Sequence, residues 1–286
     1  MGYELLGTSK LSVEELAEVK QLVNVCNDHD GIDLKVNPDM LGNRSGEHTE
    51  DFLCYEDGQL VGFLGLFVFH GQEAEVSSMV HPDYRRKGIF RALQTRAAEE
   101  CEKRSIPNQL FIVQRESLSG KACMEKFGAT YDFSEYWMDF DGQKTTTAPA
   151  YIEMRIAGKE DSETLIWLNV HGFQMEEDRA REMSKRIEVE SSSTTYLILV
   201  DDQPVGKLST NISEGKGFIF GFCVHPDHQG KGYGRRALAR AIHFIREKGY
   251  EEMSLEVASE NSSALGLYES CGFVVKSAND YYKLPL

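Results

Sequence analysis

The sequence predicts a mixed α/β (α+β) chain built from two tandem copies of one fold, each a mostly antiparallel sheet flanked by helices. Three observations predict it. The two halves align in a single register, at an offset of 144 residues, over a long ungapped stretch. Within each half the hydrophobic period switches between strand-like and helix-like in the same order. Between the halves, residues 141–149 read D-G-Q-K-T-T-T-A-P, the composition of a connection rather than of a core element. The expected division is a first lobe at 1–143, a linker at 144–149 and a second lobe at 150–286.

The register is carried by particular residues. Gln59, Val61 and Gly62 fall on Gln203, Val205 and Gly206, and Val80-His81-Pro82-Asp83 falls on Val224-His225-Pro226-Asp227. Lys87-Gly88 falls on Lys231-Gly232, Arg96-Ala97 on Arg240-Ala241, and Gly128 on Gly272. The first lobe opens with a helix signalled by the capping-box pair Ser12 and Glu15, with Leu16, Val19 and Val23 on one face. The second opens with a strand at 151–156 and a helix carrying Leu165 and Leu168. Antiparallel strands follow, joined by tight turns at Asp57-Gly58 and at 201–204. An apolar strand at 218–224 leads through a Gly-rich turn into a long helix. That helix buries Ala237, Leu238, Ala241, Ile242 and Ile245 and stops at Gly249. A strand at 253–258, a short helix ending at Gly272 and final strands complete the lobe.

Bulk properties narrow the function. A chain of 286 residues with 41% hydrophobic and 27% charged residues has the composition of a soluble protein with room for two domains. The longest apolar run, 60–69, is too short to span a bilayer as a helix. The N-terminus has neither the basic segment nor the apolar core of a secretory signal. The expected location is the cytoplasm, with no membrane partner. Cys26, Cys54, Cys101, Cys123, Cys223 and Cys271 lie far apart without C-x-x-C spacing, which argues against a disulfide framework. No metal is expected either, because no His, Cys or carboxylate pair has ligand spacing. The formal charge of −15 excludes nucleic acid as an expected partner. Residues 1–143 hold 14 Lys/Arg against 25 Asp/Glu, so the acidity is concentrated in the first lobe. That field favours a cationic small molecule or a basic peptide. Oligomeric state is not legible.

The first chemistry lies in Gln229-Gly230-Lys231-Gly232-Tyr233-Gly234, between the apolar strand and the amphipathic helix. Glycines there allow a close backbone approach to an anion, and the helix start offers unpaired N–H groups and a positive dipole end. The turn lacks the Walker pattern and the dinucleotide glycine spacing. With the preceding Val224-His225-Pro226-Asp227, these residues resemble the GNAT superfamily of acyl-CoA-dependent N-acyltransferases. The pyrophosphate loop of that superfamily reads Gln/Arg-x-x-Gly-x-Gly/Ala, and Gln229, Gly232 and Gly234 fill it. A second block matches at the expected distance: Asn261-Ser262-Ser263-Ala264-Leu265-Gly266-Leu267-Tyr268-Glu269-Ser270-Cys271-Gly272-Phe273. The resemblance covers both halves. It implies acetyl-CoA as co-substrate, a diphosphate held at Gln229, Gly230, Lys231, Gly232, Tyr233, Gly234 and Arg235, and a pantetheine arm along Phe222, Cys223 and Val224. It also implies cofactor contacts from Asn261, near the thioester end, and from Ala264 and Tyr268.

Acetylating an amine requires that an ammonium lose a proton and a thiolate gain one. Tyr268 stands where the family places its general acid. Glu256 is the candidate base, because alternation along 253–258 puts Leu255 and Val257 on one face and Glu256 on the other. The pattern of Glu twelve residues before Tyr resembles the ribosomal-protein N-terminal acetyltransferases, where the matching residues act as base and acid. Glu256 as an ordering or ion-pairing residue, with a water chain or another base in its place, stays open.

At the same offset, Glu256 becomes Ile112, Asn261 becomes Ser117 and Tyr268 becomes Met124. The loop survives in part as Arg85-Arg86-Lys87-Gly88-Ile89-Phe90, with Phe90 in place of the last glycine. The first lobe is expected to be catalytically silent. Whether it holds CoA stays open, and Glu73 and Glu75 are its remaining carboxylates before Val80. Tandem lobes with one active half resemble the mycothiol synthases in layout. The reading is an acetyl-CoA:amine N-acetyltransferase acting on a small-molecule or peptide amine. A CoA-binding sensor or scaffold without turnover is the alternative, and aminoacyl transfer from charged tRNA is disfavoured by the acidic surface and the complete loop.

Overall fold

Ser12 starts helix α1 (Val13–Asp30) by a reciprocal pair of hydrogen bonds. Its hydroxyl accepts from the Glu15 amide at 3.1 Å, and the Glu15 carboxylate accepts from the Ser12 amide at 2.7 Å. Left-handed Gly31 ends the helix. The computed structural model describes residues 2–142, 151–181, 193–213, 215–258 and 261–286. They form two units, Met1–Glu135 with Ser277–Leu286, and Tyr136–Lys276.

In unit 1, β1 (Glu4–Thr8), β2 (Asp51–Glu56), β3 (Gln59–His70) and β4 (Glu73–Val80) pair antiparallel in sequence order. The short α2 (Pro38–Gly42) precedes β2. After β4 the chain crosses over through α3 (Ile89–Lys103) to β5 (Asn108–Gln114), which lies parallel to β4. Helix α4 (Leu118–Phe127) and β6 (Thr130–Phe140) follow. Ile89, Leu93, Ala97 and Cys101 of α3 pack one face of the sheet, while Val19, Leu22 and Cys26 of α1 pack the other.

Unit 2 repeats this plan with β7 (Glu153–Ile156), α5 (Ser162–Phe173), β8 (Ser193–Val200), β9 (Gln203–Ser213), β10 (Lys216–Val224), α6 (Tyr233–Glu247), β11 (Met253–Ala258), α7 (Ser262–Ser270) and β12 (Phe273–Pro285). The sheet order is β7-β8-β9-β10-β11, with only the last pair parallel. Both bounds of α6 lie 144 residues beyond those of α3. The five helix residues expected to be buried are the buried ones. Both hairpin turns have left-handed backbones, at Asp57 and Gly58 and at Asp201 and Asp202, the conformation that matches strand twist.

The division departs from the sequence boundaries at the strand ends. Residues 136–140 of β6 belong to unit 2, where Met138 is fully buried in the core. Ser277–Leu286 belong to unit 1, where β12 pairs antiparallel with β5 from Asn279↔Gln114 to Pro285↔Asn108. Two copies of one fold offer equivalent strand edges, so an internal repeat cannot say which copy takes which last strand. The linker at 144–149 lies outside the described residues.

Each sheet also opens in the same place. In unit 2, β10 and β11 pair at Gly217↔Met253, Phe218↔Ser254 and Ile219↔Leu255, and their register goes no further. In unit 1, β4 and β5 pair only from Ala74↔Gln109 to Val76↔Phe111. Among the described residues, no helix is long and apolar enough to cross a membrane.

Candidate active site

In unit 2 a bulge lies beside the opening. The β9–β10 register shifts between Phe220 and Cys223, and Gly221 between them is left-handed at φ 56°. Phe222, Cys223 and Val224 therefore have no backbone partner on β11. Past the strand end, the Gln229 side-chain amide donates to the Val224 carbonyl at 2.9 Å. That bond braces the loop. Gly230 and Gly232 are left-handed, with φ 74° and 78°, and Gly232 begins α6 without a side-chain cap. The first-turn N–H groups of α6 therefore have no side-chain acceptor at the cap.

Gly234 also has a packing role. A Cβ there would stand 3.3 Å from Leu267 and 3.5 Å from Phe222, so a larger residue would push α7 from β10. Lys231 and Arg235 are exposed, and Lys231 Nζ donates to the Asp227 carbonyl at 2.9 Å. Tyr233 packs against the unit 2 core.

Asn261 begins α7, and its side-chain oxygen accepts from the Ala264 amide at 3.0 Å. Tyr268, 7% exposed, packs in the apolar cluster with Ala264 at its edge and its ring 6.3 Å from that of Phe222. Burial pushes the Tyr268 phenol up to about 12, with the Cys223 thiol adding to the rise. Among the described residues none hydrogen-bonds its hydroxyl. Met253, Leu255 and Val257 join the same cluster, so Glu256 points to the opposite face of β11. It is half-buried, and its Oε1 is out of reach of solvent.

Unit 1 keeps the frame and changes the groups. Arg85, at the Gln229 position, donates from Nε to the Val80 carbonyl at 3.1 Å and forks onto Asp30 at 2.9 and 2.7 Å. Ser117 caps α4 through the Gly120 amide at 3.1 Å, as Asn261 caps α7. Phe90 packs against Phe127 and Phe111 at 5.0 and 6.1 Å between ring centroids. Ile112 and Met124 stand at the Glu256 and Tyr268 positions. A cavity of about 460 Å³ opens here, lined by Arg85, Arg86, Phe90, Phe111, Cys123 and Met124 among others. It lies in the unit whose matching positions hold Ile112 and Met124 in place of Glu256 and Tyr268.

Two features of unit 2 escaped the sequence reading. His225 stacks on Trp167 at 4.4 Å, which makes it part of an aromatic layer beside the loop. His171, exposed, bonds the Trp167 carbonyl at 2.9 Å, a helix-surface position. The second feature is Lys207, 1% exposed inside β9, where burial pulls its pKa down. A signal for it exists in the repeat, because the matching residue is Phe63. Among the described residues, no group of three or more His, Cys, Asp or Glu is placed to hold a metal ion.

The chain resembles known proteins over nearly its full length. A mycothiol acetyltransferase of Thermomonospora curvata is 25% identical over 298 aligned residues, covering 98% of this chain and 97% of that one. A GCN5-related N-acetyltransferase from Sphaerobacter thermophilus superposes with a TM-score of 0.81 at 18% identity, covering 99% of this chain and 95% of that one. A tandem GNAT protein from the clavulanic acid biosynthesis pathway superposes with a TM-score of 0.75 at 17% identity, covering 99% and 98%. At those identities the structural likeness is one of fold. The sequence profile of the Acetyltransferase (GNAT) family matches residues 18–129 and again 161–273. Matched in both of its repeats, the chain belongs to the GNAT acetyltransferase family.

Proposed function

We propose that unit 2 transfers the acetyl group of acetyl-CoA to a primary amine, with Glu256 as base and Tyr268 serving the departing sulfur. One observation carries this reading: the opened segment of β10, the uncapped start of α6 and a buried tyrosine with no described hydrogen-bond partner occur in one unit. Acetyl-CoA, when bound, supplies an activated acyl carbon as a thioester. The residues fit it. The backbone of Phe222, Cys223 and Val224 has groups free on the β11 side for an amide-bearing arm. Gly230, Gly232 and the α6 N–H groups suit a diphosphate, and Lys231 and Arg235 add positive charge at its edge.

Glu256, on the face of β11 turned away from the apolar cluster, takes a proton from the acceptor ammonium and so frees its lone pair. Tyr268, held protonated by burial, faces a sulfur whose thiol titrates near ~8.5 in ordinary surroundings. Full transfer from a phenol at about 12 is uphill. Its hydroxyl therefore acts first as a hydrogen-bond donor to the charge developing on sulfur, and as a proton source only afterwards. Unit 1, with Ile112, Ser117 and Met124 at the matching positions, takes no part in the chemistry.

The test is a thiol-release assay on the purified chain with acetyl-CoA and a panel of amines. Amine-stimulated release of CoA supports transfer. Tight acetyl-CoA binding without release to any amine assigns the chain instead to the CoA-binding sensors or scaffolds.

A further inference from the structure

Lys207 lies opposite Cys223 in the β9–β10 ladder, on the sheet face covered by α5. Its Nζ is 5.6 Å from the ring centroid of Phe173, at the end of α5. The same Nζ is 3.6 Å from the point where a Cβ on Gly221 would stand, and Ser209 Oγ is also 3.6 Å from that point. Ser209 is itself 1% exposed and shares a 2.8 Å hydrogen bond with Thr195 Oγ1. The Lys207 amine and the Ser209 hydroxyl thus converge on Gly221, a position of β10 that lacks a side chain. That position lies in the opened segment of β10, next to Phe222, Cys223 and Val224, along which the arm of acetyl-CoA is proposed to lie.

Among the described residues none gives Lys207 Nζ a hydrogen bond or an ion pair, although the residue is 1% exposed. An isolated buried charge is strongly unfavourable unless it is paired. The fold does not require it, because the matching position in unit 1 is Phe63, fully buried in an apolar cluster. A lysine where the same strand accepts a phenylalanine, beside a glycine that leaves room, is a site waiting for an anion.

We propose that Lys207, assisted by Ser209, binds a carboxylate of the acceptor, so that the substrate amine belongs to the amino acid class. The inference rests on the acetyl-transfer reading of unit 2. It reverses the expectation drawn from net charge, since the local cation outweighs a distant acidic surface screened beyond about 8 Å.

The experiment compares α-amino acids with the amines made by removing their carboxyl group. Wild-type protein, Lys207→Met and Lys207→Arg are assayed by thiol release. Binding of N-acetyl amino acids and of N-acetyl amines is measured by calorimetry in the presence of CoA. The wild type is expected to prefer the carboxylate-bearing member of each pair by roughly 10-fold or more in kcat/KM. Lys207→Met loses that preference through KM, with kcat on the plain amines retained, and Lys207→Arg keeps part of it. Equal use of both members by the wild type overturns the proposal. So does a Lys207→Met variant whose kcat falls alike on both, which makes Lys207 a proton-transfer or structural residue. If no acceptor of either kind is acetylated, the transfer reading fails, and calorimetry still decides the subsite. Binding of N-acetyl amino acids that Lys207→Met abolishes upholds it, and binding indifferent to the carboxylate or to Lys207 overturns it. Methionine at 207 matches the apolar residue of unit 1, so an unchanged or higher Tm is the control for folding.

Discussion

Gln229 and Arg85 stand 144 residues apart and perform the same task, each donating its side chain to a strand-end carbonyl five residues back. Gln229 reaches Val224 at 2.9 Å and Arg85 reaches Val80 at 3.1 Å. The side chain that opens the loop is thus a brace for the backbone whose N–H groups are proposed to meet the diphosphate. Gln229→Arg should therefore be tolerated, with acetyl-CoA affinity within about 3-fold of wild type. Gln229→Leu, which cannot donate, should weaken it roughly 10-fold by calorimetry, about the value of one lost hydrogen bond. Equal affinities for the two variants contradict the brace.

Gly232→Asp tests the loop itself. The backbone there is left-handed, and a Cβ would meet only Arg236, at 4.0 Å. The strain amounts to about 1 kcal/mol, which the fold can absorb. A carboxylate at the start of α6 would repel the diphosphate, so a loss of acetyl-CoA binding on the order of 100-fold is expected with the fold retained. Unchanged binding would place the cofactor elsewhere.

Glu256→Gln should lower kcat roughly 10- to 1000-fold and remove the acidic limb of the pH–rate profile, because the protonatable group is gone while the shape is kept. An acidic limb that survives in the variant assigns the base to another residue or to a water chain.

Unit 1 carries a pH-dependent tie. The Arg85 hydrogen bonds hold the Asp30 carboxyl below its usual range. A carboxyl whose folded pKa is depressed stabilises the fold above its unfolded value, near ~3.9, and that stability is lost as pH falls through the folded pKa. Asp30→Asn should thus cost about 2 kcal/mol at pH 7 in denaturant unfolding. The difference from wild type should shrink only below about pH 4. A cost that stays constant into strong acid would show that the ion pair is not its source.

Much of this was legible because the chain states its fold twice. The bounds of α3 predict those of α6, and the two left-handed hairpin turns follow from Asp57-Gly58 and its repeat. That Glu256 faces away from Leu255 and Val257 follows from the strand period. What stayed hidden depends on contacts between segments distant in sequence. The exchange of 136–140 and Ser277–Leu286 between units is invisible to a repeat, since both copies present the same strand pattern. Lys207 reads as an ordinary charged residue until the structure shows it buried, with no hydrogen bond or ion pair to its Nζ among the described residues. Asn261 and Ser117, which differ in sequence, share a capping role that only hydrogen-bond geometry reveals.

The most direct measurement is acetyl transfer at saturating acetyl-CoA by Tyr268→Phe and Gly88→Asp proteins, each with a melting curve as control. Tyr268 and Gly88 lie in different units, and a Cβ on left-handed Gly88 would meet nothing within 4 Å, so neither change should unfold the chain. If unit 2 alone performs the chemistry, Tyr268→Phe loses roughly 10- to 1000-fold in kcat with acetyl-CoA affinity nearly intact, while Gly88→Asp keeps kcat within about 2-fold. A folded Gly88→Asp protein without activity, beside a fully active Tyr268→Phe protein, would place the chemistry in unit 1 and contradict the account.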